Sequence, residues 1–404
     1  MNRRRFLTAL MAGSVTACQN VPNLLNQCLS GLPQGSEFTA LLSEIWQDLD
    51  PTQVWDSHVH LVGIGDSSHT SEALPWISPR LSNWLHPQLS LQKQLYINGS
   101  CVDENQIDNS YVEHLYQLLS QFPTGYKALI LAFDWYHNAQ GQSQPEQSIF
   151  HIPNSYAEKI AKRYPQRFEW AASIHPYRAD SIEVLHQVHA QGARAIKWLP
   201  SAMNIDAASA KCDRFYQTLA ALKLPIISHS GRENAVPGGD QSLGNPLRFR
   251  RALDQGVKII LAHCASDGED IDLDNRGQKP IKSFALFSRL MDEKNYQTLL
   301  YGDISAITIR HHAWVIKPLL QRPDWHSRLL NGSDYPLVGI PPLFSVEDLI
   351  EQQLLAAKYQ PLFKELQHYH PLLFDFALKR LLRFEGMGFA KSVFETKRIL
   401  MNQK

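Results

Sequence analysis

Short apolar runs that end in a polar residue recur along this chain. The first run, 54–61, contains His58 and His60, and side chains two positions apart on a strand point to the same face. Later runs of the same kind end at polar residues that are 32, 34, 40 and 31 positions apart. Those residues are Lys197, His229, His263, Asp303 and Asp334. Because about 30 residues make one strand with its helix, the spacing predicts a (β/α)8 TIM barrel.

Two further runs, 126–134 and 168–174, supply the second and third strands of that barrel. Between the strands, apolar residues recur at helical spacing, as in 181–189 and in the stretch that follows Asp213. The alternation predicts the α/β class. Barrels of this type carry their chemistry at the C-terminal ends of the strands.

Two segments exceed a minimal barrel, which we place at 51–340 after a lead-in at 19–50. Residues 62–125 follow the first strand and are too long for an ordinary loop. We expect this insertion to cap the catalytic face, with a structural side wall as the alternative. Residues 341–404 carry helical patterns, and we expect C-terminal helices that cover the barrel rather than a separate domain.

Charge is balanced, with 39 basic and 39 acidic residues among the 404. No basic field points to nucleic acid, and no Gly-rich phosphate loop is present in the sequence. We therefore expect a small-molecule substrate and no nucleic-acid partner. The sequence does not indicate an oligomeric state.

Residues 1–18 predict an export signal. Arg3, Arg4 and Arg5 precede Phe and Leu in a twin-arginine pattern, and the apolar stretch that follows is shorter than the roughly 20 residues of a membrane span. Residues 15–18 resemble a lipobox, in which Cys18 carries a lipid anchor. We expect an exported protein that is periplasmic or membrane-anchored and faces outward. The alternative is a basic N-terminus that is not a targeting signal.

Four more cysteines lie outside this signal, without metal-site spacing. An oxidising compartment permits a disulfide among them, but the sequence does not assign one.

The set of polar strand ends resembles the amidohydrolase superfamily, in its amidohydrolase-related branch of TIM-barrel metal-dependent hydrolases and decarboxylases. An HxH pair ends the first strand, lysine ends the fourth, histidine ends the fifth and sixth, and aspartate ends the eighth. The amino-acid sequences of segments 224–231, 257–264 and 332–336 resemble those of that branch, and the resemblance covers residues 52–340.

This resemblance implies a divalent metal ion. The expected ligands are His58, His60, His229 and Asp334. Nitrogen and oxygen ligands suit zinc, which we expect, and also manganese, iron or cobalt. A second ion would use His263 and Lys197. An ammonium group has no lone pair, so Lys197 must then be carboxylated, as in binuclear members, or lie outside the first shell. A one-ion site in which His263 activates or orients the substrate stays open.

The same resemblance assigns proton transfer to Asp334, with His263 as a second catalytic group. Arg178 and Arg232 follow strand ends, and we expect either to hold a substrate carboxylate. Asp56 is expected to fix a ring tautomer. His312 is interpreted as helix surface or packing.

The expected function is metal-dependent hydrolysis of a small carbonyl, lactone, amide or ester substrate. Non-oxidative decarboxylation of an unsaturated or aromatic acid is the alternative within the same family. A non-catalytic binding lipoprotein on a barrel scaffold is the alternative of another class, which loss of the ligand residues would signal.

Overall fold

The computed structural model describes residues 25–67, 74–82, 87–236, 238–275, 277 and 279–401. The predicted export signal, including Cys18, lies outside the described residues. Among the described residues, no helix has the length and apolar character that a membrane crossing requires.

Eight short parallel strands form the centre of the fold. They are β1 (Trp55–His60), β2 (Lys127–Leu131), β3 (Phe168–Ala171), β4 (Ile196–Trp198), β5 (Ile226–Ser228), β6 (Ile259–Leu261), β7 (Leu300–Asp303) and β8 (Leu329–Leu330). Strands β1 to β3 make one ladder and β4 to β8 another. Parallel bridges from Ala172 to Ile196 and from Val59 to Tyr335 join the two ladders at both edges. This is the strand order of a (β/α)8 barrel, and the predicted fold class is confirmed.

At least one helix lies between each pair of consecutive strands. These helices are Pro87–Gly99, Ile107–Ser120, Asn154–Arg163, Ser181–Ala190, Pro200–Met203, Asp213–Leu222, Arg250–Asp254, Ser283–Asp292 and Ile316–Leu320. Within the described part of the chain, the helix Ser36–Trp46 precedes β1, and five helices follow β8: Val346–Glu351, Gln360–Tyr369, Pro371–Leu381, Lys391–Phe394 and Lys397–Leu400. Helix Asp213–Leu222 buries Phe215, Tyr216 and Leu219, the apolar stripe that its sequence predicts.

The barrel interior is a separate apolar cluster, to which most strands contribute a side chain. Its members include Trp55, Leu129, Ile227, Ile260 and Leu330. The last helix adds Ile399 and Leu400 to the same cluster. The Thr396 hydroxyl donates to the carbonyl of Trp55 at 2.7 Å, so the C-terminal segment packs where β1 begins. It therefore covers the end of the barrel opposite to the polar strand ends.

The long insertion after β1 is anchored at the C-terminal end of one of its helices. Helix Pro87–Gly99 is followed by Cys101, which forms a disulfide with Cys28 of the N-terminal lead-in. The backbone N–H of Asn26 donates to Asn98 Oδ1 at 2.8 Å, and the Asn26 side chain donates to the carbonyl of Gly339 at 3.1 Å. The lead-in thus joins the end of this helix to the segment that follows β8.

Two glycines make that junction close. A Cβ on Gly339 would lie 1.8 Å from the carbonyl oxygen of Gly99, a distance that no side chain tolerates. A Cβ on Gly99 would in turn lie 2.7 Å from the Ile340 side chain. Backbone therefore packs directly on backbone, and the Tyr335 hydroxyl adds a hydrogen bond to the carbonyl of Ser100 at 3.3 Å.

Candidate metal centre

Three of the polar strand ends lie beyond the regular strands. The predicted runs to 229, 263 and 334 are too long, since β5 ends at Ser228, β6 at Leu261 and β8 at Leu330. His263 and Asp334 have φ values of 55° and 62°, a left-handed conformation that non-glycine residues rarely adopt. Hydrogen bonds hold both: the N–H of Asp334 donates to the carbonyl of His58 at 2.8 Å, and the N–H of His263 donates to Asp303 Oδ1 at 2.9 Å.

His58, His60 and Asp334 form a compact group of potential metal ligands. Their ligand atoms all lie within 4.8 Å of one another. The two Nε2 atoms are 3.2 Å apart, and Asp334 Oδ1 lies 3.1 Å from that of His60 and 3.5 Å from that of His58. Ligand atoms on a tetrahedral zinc ion, with bonds of 2.0–2.1 Å, are about 3.3 Å apart. The three side chains therefore fit a divalent cation, and three protein ligands are what a catalytic zinc site uses.

The other predicted residues surround this group without belonging to it. His263 Nε2 lies 4.0 Å from Asp334 Oδ2. The ring of His229 lies 5.2 Å from that of His263, centroid to centroid. His229 Nε2 is buried and has no hydrogen-bond partner among the described residues, so its lone pair is available to a cation or a substrate.

Outer hydrogen bonds fix the direction of three imidazoles. His58 Nδ1 donates to Asp303 Oδ2 at 2.8 Å. His263 Nδ1 lies 2.9 Å from the Ser305 hydroxyl and 3.1 Å from the Ser305 carbonyl. His229 Nδ1 lies 3.2 Å from Glu233 Oε2. Because Nδ1 is engaged in each ring, Nε2 is the nitrogen left for the site, a common arrangement for metal-bound histidine.

Burial keeps these rings neutral. Burial, together with the nearby charge of Lys197, lowers the pKa of His58 to about 3, although Asp303 and Asp334 partly compensate. Burial also lowers the pKa of His60 and places that of His229 well below its usual value. Burial alone would raise the pKa of Asp334, but the imidazoles of His263, His60 and His58 bring it well below the ordinary range. The site thus combines neutral nitrogen ligands with an ionised carboxylate, which are the forms that bind metals.

Lys197 lies inside the barrel with 1% of its surface exposed. Its Nζ donates to His58 Nε2 at 2.8 Å, on the side of the ring that faces Asp334. Burial lowers the pKa of Lys197 to about 8, although the carboxylates of Asp334 and Asp303 partly compensate. A cation bound by His58 would therefore compete with this ammonium group for one lone pair.

All six predicted metal-site residues line one cavity of about 280 Å³. The insertion after β1 contributes to its wall through Val62, Ile77 and Leu95. Arg232 lines it as well, and its exposed guanidinium has no hydrogen-bond or ion-pair partner within the part of the chain that the structure describes. The metal group therefore opens into a largely apolar pocket, whose lining carries the cationic side chains Lys93 and Arg232 besides Lys197.

Arg178 lies elsewhere, which corrects the expectation that it contacts substrate here. Its guanidinium bonds to Asp134 at 3.0 Å and to Asp180 at 2.8 Å, and it lines a separate cleft. Asp56 also differs from its expected role, because its Oδ1 accepts the backbone N–H groups of His58 and Ser333 at 3.1 and 2.8 Å rather than a ring nitrogen. Asp303 orients the ring of His58 instead.

Glu233 and His312 are two candidate functional residues that the pattern of strand ends does not predict. Glu233 follows His229 by four positions, and that spacing is the feature of the sequence that could have indicated their contact. His312 is buried, which agrees with the packing interpretation, and it also lines the cavity. Its Nδ1 lies 2.6 Å from the Ser266 hydroxyl, so its Nε2 is the nitrogen without a bonded partner among the described residues. The clue was its place after β7, on the side where the other polar strand ends lie.

The family model described as amidohydrolase matches residues 55–357. The chain belongs to the amidohydrolase family. This assignment confirms the resemblance inferred from the strand ends. No curated protein matches the chain significantly.

Several solved structures resemble the fold at low identity. An uncharacterised TIM-barrel protein from Bordetella bronchiseptica is 16% identical, with a TM-score of 0.45, over 80% of this chain and 99% of that one. A probable 2-pyrone-4,6-dicarboxylic acid hydrolase from Acinetobacter baumannii is 12% identical, with a TM-score of 0.41, over 80% and 99%. 5-Carboxyvanillate decarboxylase from Sphingomonas paucimobilis is 10% identical, with a TM-score of 0.48, over 86% and 98%.

Replacing Asp303 by asparagine should weaken metal binding about 10- to 100-fold, since the ring of His58 loses its charged orienting partner. Affinity is measured by competition with a chelator. Asp270→Asn is the matched control, because Asp270 is a buried carboxylate that bonds to the Ser283 hydroxyl outside the cavity. Equal affinities in the two variants would contradict the orienting role of Asp303.

Proposed function

We propose that this protein is a metal-dependent hydrolase of a small carbonyl, lactone, amide or ester substrate. The observation that carries the proposal is the group of His58, His60 and Asp334, whose ligand atoms lie within 4.8 Å of one another at the wall of a cavity. Membership of the amidohydrolase family supports an enzymatic role.

The three side chains of that group would hold the ion, and zinc is the metal we propose. When bound, a divalent ion lowers the pKa of a coordinated water toward about 7 and polarises a carbonyl oxygen. His229, whose Nε2 is free of hydrogen bonds among the described residues, is a candidate fourth ligand.

Proton transfer falls to Asp334 in this proposal. Its Oδ1 faces the two imidazoles, while Oδ2 lies 4.0 Å from His263 Nε2. Asp334 would accept a proton from the attacking water and return it to the leaving group, and His263 would orient the substrate from the neighbouring strand end. Arg232 would contact an anionic part of the substrate near the solvent.

One ion is the arrangement that the ligand geometry favours. The alternative is a second ion near His263, bridged by a carboxylated Lys197, and the burial of Lys197 beside His58 supports it. A one-ion site also suits the decarboxylase alternative, because family members that decarboxylate unsaturated acids tend to use one metal.

Elemental analysis of zinc-loaded protein should find one ion per chain, and His58→Ala should lose it. Lys197→Met should retain one ion, because no lysine-derived ligand takes part. His326→Ala is the matched control, since His326 is a buried histidine outside the cavity whose Nε2 bonds to the carbonyl of Leu319. Two ions in the parent chain, falling in Lys197→Met, would establish the bridged pair instead.

A panel of esters, lactones, amides, phosphoesters and unsaturated acids tests the reaction itself. We expect hydrolysis, with Asp334→Asn lowering kcat/KM by about 10²- to 10⁴-fold because the general acid and base is lost. Asp348→Asn, at an exposed carboxylate paired with Arg310, should leave the rate unchanged. Release of carbon dioxide from an unsaturated acid, without hydrolysis of any other compound, would decide for the decarboxylase.

We also propose that the protein is exported by the twin-arginine route to the periplasm or an outward-facing membrane surface. The disulfide between Cys28 and Cys101 supports this, since such bonds persist in oxidising compartments. Lipid attachment at Cys18 is part of the proposal.

Cell fractionation tests the route. The double variant Arg3→Lys/Arg4→Lys should stay in the cytoplasm with free thiols at Cys28 and Cys101, whereas Arg5→Lys should be exported. Cys18→Ala should move the exported protein from the membrane to the soluble fraction. Unchanged export of the double variant would contradict a twin-arginine signal.

A further inference from the structure

We propose that the cavity binds an uncharged aliphatic chain, so that the substrate is an acyl ester, acyl amide or lactone with an alkyl chain. This rests on the proposed hydrolase function for the identity of the reacting end. In the reaction, water adds to the acyl carbon, the bond from that carbon to the leaving oxygen or nitrogen breaks, and the leaving atom takes a proton. The products are a carboxylic acid and an alcohol or amine, or one hydroxy acid from a lactone.

The wall of the cavity is aliphatic on several sides. Six half-buried residues from five separate stretches of chain line it: Val62, Ile77, Leu95, Ile149, Leu337 and Leu343. They share the cavity with the metal group. An alkyl chain that lies against these residues and a carbonyl group that lies at Asp334 can therefore belong to one substrate molecule.

These six side chains keep part of their surface accessible at the cavity, where a ligand can contact it. Leu25, Ile271 and Met387, the most exposed large hydrophobic side chains among the described residues, do not line it. An apolar ligand that covers apolar surface in a pocket removes that surface from water, and this favours binding.

Helix Pro87–Gly99 places three polar residues in the lining, Gln92, Lys93 and Tyr96, and the polar groups of Gln92 and Tyr96 do not offset its apolar character. Gln92 Nε2 donates to the carbonyl of Ala235 at 2.7 Å, and the Tyr96 hydroxyl donates to the same carbonyl at 2.9 Å. Their hydrogen-bonding groups are thus bonded within the wall. The same bonds join the helix to the loop that carries Glu233, the partner of His229.

Aromatic character is low by comparison. Apart from imidazoles, the aromatic rings among the described lining residues are Tyr96 and Phe150. A volume of about 280 Å³ lies near the lower limit for small-molecule sites. The cavity therefore suits a chain of short to medium length rather than a stacked ring system.

Calorimetric titration with straight-chain 1-alkanols from butanol to octanol tests chain binding without any reaction. Affinity should rise about fourfold per methylene, which corresponds to ~0.8 kcal/mol for each buried CH₂. Leu95→Gln should lower octanol affinity about tenfold, and Leu95→Phe should shift the preference to shorter alkanols. Ile271→Gln, the same change at an exposed residue outside the cavity, should have no effect.

Affinity that does not rise with chain length, or equal effects of Leu95→Gln and Ile271→Gln, would overturn the inference. A parallel series of acyl esters from acetyl to octanoyl separates it from the proposed function. If alkanol affinity rises with chain length but no compound is hydrolysed, the proposed hydrolase function is wrong and the proposed alkyl-chain site stands. If polar substrates alone are hydrolysed and alkanols do not bind, the proposed alkyl-chain site is wrong and the proposed hydrolase function stands.

Discussion

The seam between the first and last barrel strands is the constraint on which the candidate site depends. Two of its three ligands come from β1 and the third follows β8, and 274 positions separate His60 from Asp334. The N–H of Asp334 donates to the carbonyl of His58, and the N–H of His60 donates to the carbonyl of Tyr335 at 2.9 Å. Gly332 permits the approach, because a Cβ there would lie 2.8 Å from that of His58. Ligand spacing is therefore set by backbone pairing.

Strand ends could be predicted from the sequence because their rule is simple. Parallel strands in a closed sheet bring their C-terminal ends together, so the polar residues that end successive apolar runs must meet. His58, His60, Lys197, His229, His263 and Asp334 follow that rule and line one cavity. The family assignment followed from the same residues.

Residues on the connecting loops could not be placed by that rule. Arg178 follows β3 as Arg232 follows β5, yet Arg178 pairs with Asp134 and Asp180 while Arg232 reaches the cavity. The difference lies in local carboxylates, which spacing does not reveal. Left-handed backbone at His263 and Asp334 likewise redirects side chains beyond the regular strands. Such conformations cost roughly 1–3 kcal/mol each and occur where surrounding structure enforces them. Here the bond from the Asp334 N–H to the His58 carbonyl and the bond from the His263 N–H to the Asp303 carboxylate hold these conformations.

The anchoring of helix Pro87–Gly99 determines how the pocket can open. The Cys28–Cys101 disulfide and the contact between Gly99 and Gly339 both hold its C-terminal end. Gln92 and Tyr96 also bond the middle of the helix to the carbonyl of Ala235. A movement of the helix that admits a ligand must keep these contacts or break them. Since Gly339 lies five positions after Asp334, a displacement of the Gly99 end would also act on the segment that carries the carboxylate. Access to the pocket and the geometry of the ligand group are thereby mechanically linked.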